Sequence, residues 1–185
     1  MSAHPLWYIA RAVGIVAWIL LCTSMLAGVT LTYRRAGSAP AMLDLHRYLS
    51  LLAVVFTIAH AVALVADGFV GYRFVQVLLP LASLWRPGPV GWGVLAMYLL
   101  LLVEGSSLLG RRLSRTKWRR LHNLSYPCFA AATIHFLSAG SDIVRWIPRW
   151  LAIAFGGVVV AMALWGAARA ESRTRLPENV EQVGK

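Results

Sequence analysis

The stretch that decides the fold is DLHRYLSLLAVVFTIAHAV, residues 44–62. It is apolar for long enough to cross a bilayer, yet it carries His46 near one end and His60 near the other. An imidazole without a partner in hydrocarbon costs several kilocalories, so each of these two histidines is expected to satisfy something. Working outward, windows of about 19 residues find further apolar runs. With the opening stretch they cover roughly 7–31, 43–66, 90–110, 121–140 and 148–168. Each is close to the ~20 residues that cross a ~30 Å hydrocarbon core as a helix. The chain of 185 residues is 59% hydrophobic and only 14% charged, which excludes an ordinary soluble domain of this length. The expected fold is all-α, an integral membrane bundle of about five transmembrane helices in the cell membrane. The first run follows no basic segment and shows no small-x-small cleavage pattern, so it is read as a retained helix and not a signal peptide.

Net charge is +11, but position matters more than the sum. Arg34, Arg35, Arg111, Arg112, Arg115, Lys117, Arg119, Arg120, Arg169, Arg173 and Arg175 fall on one side of a five-span arrangement. Arg73, Arg86, Arg145 and Arg149 fall on the other, with Arg11 just inside the first span. The positive-inside rule then places the N-terminus outside and the C-terminus in the cytoplasm, and the basic excess is a topology signal and not a nucleic-acid footprint. Residues 1–168 are expected to form one membrane domain, and 169–185 a polar cytoplasmic tail too poor in apolar residues to fold. No internal repeat is visible. Cys22 and Cys128 lie in apolar runs without Cys-x-x-Cys spacing and read as small buried hydrophobes. The segment 67–93, DGFVGYRFVQVLLPLASLWRPGPVGWG, is too broken by Pro and Gly for a span. It is expected in the outer interface, with Tyr72, Trp85 and Trp92 at headgroup level.

The fourth span supplies partners for the two histidines. RRLHNLSYPCFAAATIHFLSAG, residues 119–140, carries His122 and His135. His46 and His60 are 14 residues apart, about 21 Å along a helix, and His122 and His135 are 13 apart, about 19.5 Å. On parallel helices His46 stands level with His122 and His60 with His135. Two facing imidazoles in an apolar slot suit haem, whose iron takes axial nitrogens. Without Cys-x-x-Cys-His the haems would be b-type. Thirteen residues leave His122 and His135 about 140° apart on an ideal helix, and Pro127 between them permits the kink or rewinding that turns His135 inward. His4, unpaired in the leader, reads as a surface histidine.

These residues carry a resemblance. LDLHRYLSLLAVVFTIAH, the stretch from Ser83 to Asp142 and the two histidine spacings resemble the ferric reductase-like transmembrane domain in a short bacterial form. That superfamily includes the NADPH oxidases and the haem-bearing membrane partner of periplasmic methionine sulfoxide reductase. The resemblance implies two stacked haems ligated by His46 with His122 (inner) and His60 with His135 (outer), passing electrons from a cytoplasmic flavoprotein or a quinol to an external acceptor: ferric iron, a quinone or a periplasmic reductase. Family members usually continue into a flavin and nicotinamide domain. This sequence shows no GxGxxG-type loop and is not expected to oxidise a nicotinamide itself. Arg47 and Arg119 or Arg120 are candidates to meet the inner propionates, and Arg73 or Arg86 the outer ones. Phe129 is a candidate to sit between the haems, or else simply packs. Glu104, the acid within a span, reads either as a proton route beside a quinone or as a hydrogen-bond partner of Ser106, Ser107 or a neighbouring helix. The competing function class is a haem-free membrane protein of structural or transport type whose histidines hydrogen-bond between helices.

Overall fold

In the computed structural model the described residues are 5–33, 39–68, 70–139, 150, 153–161 and 164. They form helices and turns, with no strand among them. The helices are α1 (Pro5–Tyr33), α2 (Ala39–Ala66), α3 (Phe74–Leu78), α4 (Pro87–Leu108), α5 (Arg115–His122) and α6 (Ser125–Ala139), with a 3₁₀ turn at Gly110–Arg112 and a last helical stretch at 153–161. Three of them are long and apolar enough to cross a membrane: 28 residues from Pro5, 27 from Pro40 and 22 from Pro87. This is a helical membrane protein. A turn at 123–124 interrupts the continuous fourth span expected, α6 is described over 15 residues, and the fifth expected span is described only in part. The tail at 169–185, and Arg34, Arg35, Arg145 and Arg149, lie outside the described residues.

α1 packs antiparallel along α2, and α4 antiparallel along α6, so the bundle consists of two hairpins. They meet around Trp18 of α1, which is buried with Cys22, Met25, Phe129 and Val159. Trp18 stacks on Phe136 with centroids 4.4 Å apart and planes 8° from parallel, and meets Phe155 edge-on at 6.3 Å. Its indole N–H donates to Thr133 Oγ1 at 3.2 Å, which satisfies its polar atom within this apolar cluster. Many large apolar side chains point outward, such as Leu51, Val55, Ile58 and Val62 along α2, as a lipid-facing helix surface requires.

The fourth span is broken where its geometry demands. Proline has no N–H and its ring crowds the carbonyl four residues earlier, here Asn123. Asn123 O accepts instead from Tyr126 N at 3.2 Å, and Leu124 N donates to Leu121 O at 3.0 Å. Both are three-residue bonds, so the chain tightens at 123–124 and separates α5 from α6. The expected rewinding therefore occurs three to four residues before Pro127, which itself sits in the first turn of α6.

The connection from Asp67 to Arg86 packs against the bundle. It folds back on α4, pinned by Tyr98 OH donating to Leu78 O at 2.7 Å, and is tightened within itself by Ser83 Oγ donating to Trp85 O at 2.6 Å. Gly91 lets it approach: a Cβ there would meet Leu81 Cδ2 at 3.1 Å and Leu81 N at 3.3 Å. Leu81 (φ 67°) and Arg86 (φ 45°) adopt left-handed conformations, a local strain that tertiary contacts must hold. Tyr72 is buried with Val77, Val90 and Val94, and burial raises the pKa of its phenol above the ordinary value. Trp85 and Trp92 remain partly exposed.

Candidate functional site

The two hairpins bring the four histidines together as two levels. His60 of α2 faces His135 of α6 with ring centroids 6.4 Å apart, and His46 of α2 faces His122 of α5 with centroids 6.0 Å apart. The planes within each pair are steeply inclined, by 68° and 74°. An imidazole nitrogen lies about 2.0–2.1 Å from a bound metal and about 1.1 Å from its own ring centroid, so two imidazoles on opposite sides of one metal put their centroids about 6.3 Å apart. Both levels match that spacing.

Each ring is aimed by the other helix of its own hairpin. His60 Nδ1 lies 2.8 Å from Ala10 O on α1, and His46 Nδ1 lies 2.9 Å from Ser24 O on the same helix. His135 Nδ1 lies 2.8 Å from Pro89 O on α4. A carbonyl only accepts, so Nδ1 carries the proton in all three, and the lone pair of Nε2 is free for a metal. His122 Nδ1 is 3.4 Å from Ser107 Oγ, whose own hydrogen goes to Val103 O at 3.0 Å. These bonds fix tautomer and ring orientation in the manner of the outer hydrogen bonds around metal-bound histidines. Ring orientation is thus set within a hairpin, whereas the imidazoles face one another between hairpins.

Glycines make the close approach possible. A Cβ on Gly14 would lie 2.8 Å from His60 Nδ1, one on Gly28 3.0 Å from His46 Cε1, and one on Gly93 2.7 Å from His135 Nδ1. Each glycine stands four residues after the carbonyl its histidine bonds, so the imidazole enters a notch where a side chain would have been. Gly14 and Gly28 are 14 apart, as are His46 and His60 and as are Gly93 and Ser107. The arrangement of α1 and α2 thus recurs in α4 with α5 and α6, a repeat that sequence inspection did not show.

The His60–His135 level opens into a cavity of about 580 Å³, within the ~300–1,000 Å³ usual for ligand sites. Trp18, Phe136, Tyr72 and Trp85 are among its apolar walls, and the 67–86 connection closes part of it. Arg11 is the cation lining it among the described residues, a position that sequence reading counted as charge but did not assign to the site. An arginine inside an otherwise apolar first span was the available signal. Arg73 and Arg86 are exposed and flank the wall residues Tyr72 and Trp85; Arg86 lies over the Trp85 ring at 5.4 Å. At the other level, Arg47 is exposed and 3.7 Å from Asp44. Arg119 and Arg120 are exposed on α5, beside Trp118, which stacks on His122 at 4.9 Å. Phe129 lies in the Trp18 cluster and not among the cavity walls. Glu104 is half-buried on α4, and the hydroxyls of Ser106 and Ser107 donate to Val103 O and not to it. Among the described residues no three His, Cys, Asp or Glu side chains converge as a metal cluster, so the donors on offer are the two imidazole pairs.

A family described as "Domain of unknown function (DUF8596)" has a model that matches residues 5–142, which contain all four histidines and their partners. The chain belongs to that family. It is also similar to two proteins named "Protein-methionine-sulfoxide reductase heme-binding subunit MsrQ". The relative from Brucella melitensis biotype 2 is 30% identical over 169 residues, covering 85% of this chain and 64% of its own length. The relative from Brucella anthropi is 25% identical over 182 residues, covering 96% of this chain and 75% of its own. The chain therefore spans somewhat less than two thirds of the Brucella melitensis relative.

Proposed function

We propose that this protein is a transmembrane electron-transfer subunit carrying two b-type haems, one between His46 and His122 and one between His60 and His135. The observation that carries the reading is the pair of imidazole levels, each spaced for two imidazoles around one metal, with three of the four rings pre-aimed through a short Nδ1 bond to a carbonyl. Two imidazoles alone leave a tetrahedral zinc site incomplete, whereas a porphyrin supplies the four equatorial nitrogens itself. The names of the relatives, which specify a heme-binding subunit, agree. Resemblance to the ferric reductase-like transmembrane domain points the same way.

A haem held by such a histidine pair would supply one-electron iron chemistry. The residues of the chain do the rest. His46, His60, His122 and His135 present neutral Nε2 lone pairs; Gly14, Gly28 and Gly93 admit their rings; Trp18, Phe136 and Tyr72 exclude water from the His60–His135 level. Arg11 is placed to meet a carboxylate at that level, with Arg73 and Arg86 at its rim, and Arg119 and Arg120 stand at the other face.

The density of exposed cations on α5, together with the positive-inside rule, makes the His122 end cytoplasmic and the His60–His135 end external. Electrons enter from a cytoplasmic flavoprotein or a membrane quinol and leave to an external acceptor. Among ferric iron, a quinone and a periplasmic reductase, the relatives' name favours a reductase of methionine sulfoxide in protein. The test is an optical spectrum of the purified, haem-supplied protein before and after dithionite. Low-spin b-type bands at two haems per chain are expected, and His60→Ala should remove one haem and retain the other. A colourless protein would refute the proposal and favour a haem-free role for the hydrogen-bonded histidines.

A further inference from the structure

The repeat between the two hairpins has one exception, and it falls on a ligand. In three of the four positions the histidine enters a glycine notch and bonds the carbonyl four residues earlier: Gly14 with Ala10, Gly28 with Ser24, Gly93 with Pro89. The fourth position pairs Ser107 with Val103. There a serine stands in the place of the glycine, the Ser107 hydroxyl donates to Val103 O at 3.0 Å, and His122 Nδ1 lies 3.4 Å from that hydroxyl. This is long for an N–H···O bond, whose usual range ends near ~3.2 Å.

We propose that Ser107 is a positioning residue that interposes its hydroxyl between His122 and the Val103 carbonyl and thereby sets the reduction potential of the His46–His122 haem apart from what a fourth glycine notch would give. The inference rests on the two-haem reading above. The physical reason is the strength of the Nδ1–H bond. A short bond to a carbonyl pulls the proton away from the ring and makes Nε2 a stronger donor to the metal, which favours the ferric state. A long bond to a hydroxyl, already polarised by its own donation to Val103 O, does less. His122 is therefore the weakest donor of the four, and its ring orientation leans on Trp118, which stacks on it at 4.9 Å with planes 20° apart.

Two small substitutions then act in opposite directions. Ser107→Gly opens the notch, His122 bonds Val103 O as the other three bond their carbonyls, and the midpoint potential of the His46–His122 haem falls. Ser107→Ala keeps the Cβ and removes the hydroxyl, so Nδ1–H loses its acceptor; the midpoint rises and haem is held about 10–100-fold more weakly at that level. Ser107→Thr keeps the hydroxyl and the wild-type midpoint. The experiment is a redox titration of purified membrane protein with the Soret band and ferric EPR as readouts, the two midpoints being assigned with His60→Ala, which leaves the His46–His122 haem. Shifts of opposite sign confined to that haem are expected. Midpoints unchanged in both variants, or displaced in the same direction, would overturn the role of Ser107 while leaving the two-haem reading intact. Wild-type protein that binds no haem would instead overturn the reading itself.

Discussion

Replacing Gly93 by alanine adds one methyl group, and the geometry says where it goes. The new Cβ would stand 2.7 Å from both Nδ1 and Cε1 of His135 and 2.9 Å from Cγ, whereas ordinary contact begins near 3.4 Å. The neighbour is an aromatic ring held by its own hydrogen bond, not the end of a flexible chain. Relief by about 0.7 Å would stretch the 2.8 Å bond between His135 Nδ1 and Pro89 O to about 3.5 Å, beyond hydrogen-bonding range. Loss of such an orienting bond typically weakens a metal site about 10–100-fold, or about 1.4–2.8 kcal/mol at 1.4 kcal/mol per decade. That falls in the ~1–3 kcal/mol range of overpacked sites. The assay is haem content and haem affinity of the purified variant, with Gly105→Ala as the control on the same helix, because a Cβ at 105 meets nothing within 4 Å. Gly93→Ala should lose the His60–His135 haem selectively, and the retained His46–His122 haem reports that the bundle still folds. Equal affinity in the two alanine variants would refute the notch as the reason for the glycine.

Two further outcomes are expected. Reversing Arg112, Arg115 and Lys117, all exposed, to Glu should slow reduction by the physiological donor and weaken its salt dependence, while dithionite reduction and haem content stay unchanged; an unaltered donor-driven rate would reassign these charges to topology alone. Trp18→Phe should retain stacking on Phe136 but lose the 3.2 Å bond to Thr133, for a stability cost of about 1 kcal/mol, whereas Trp18→Ala should cost about 3–5 kcal/mol in thermal or denaturant unfolding.

The pairing of the histidines was legible because a helix converts spacing into height, and 14 and 13 residues give nearly equal rises. Their partners were not legible, since a backbone carbonyl has no sequence signature and glycine in an apolar span has many uses. The usable signal was that Gly14 and Gly28 repeat the spacing of His46 and His60, which becomes informative only once the helices are known to be antiparallel neighbours. Pro127 announced a break, but the break appears at the carbonyl it crowds, Asn123, not at the proline. Tyr72 followed the statistics of interfacial aromatics in the sequence reading, and its burial depends on how residues 67–86 fold over α4, a tertiary outcome that local pattern does not encode. The apolar run read as a continuous fourth span from residue 121 crosses the 123–124 turn, which separates the strongly basic α5 from the apolar α6, and a backbone turn of two residues leaves no mark on a hydropathy average.

The division of labour among the histidines bears on how such a protein is made. Within each hairpin the acceptor carbonyls and the imidazole they orient lie on antiparallel neighbouring helices, so a hairpin can enter the bilayer with its histidines aimed before the other hairpin arrives. Aiming is local to a hairpin, while the facing of the imidazoles joins the halves. On the two-haem proposal, each cofactor would act as a clasp between two finished pieces, and maturation would depend on the meeting of the halves rather than on the order in which single histidines are found.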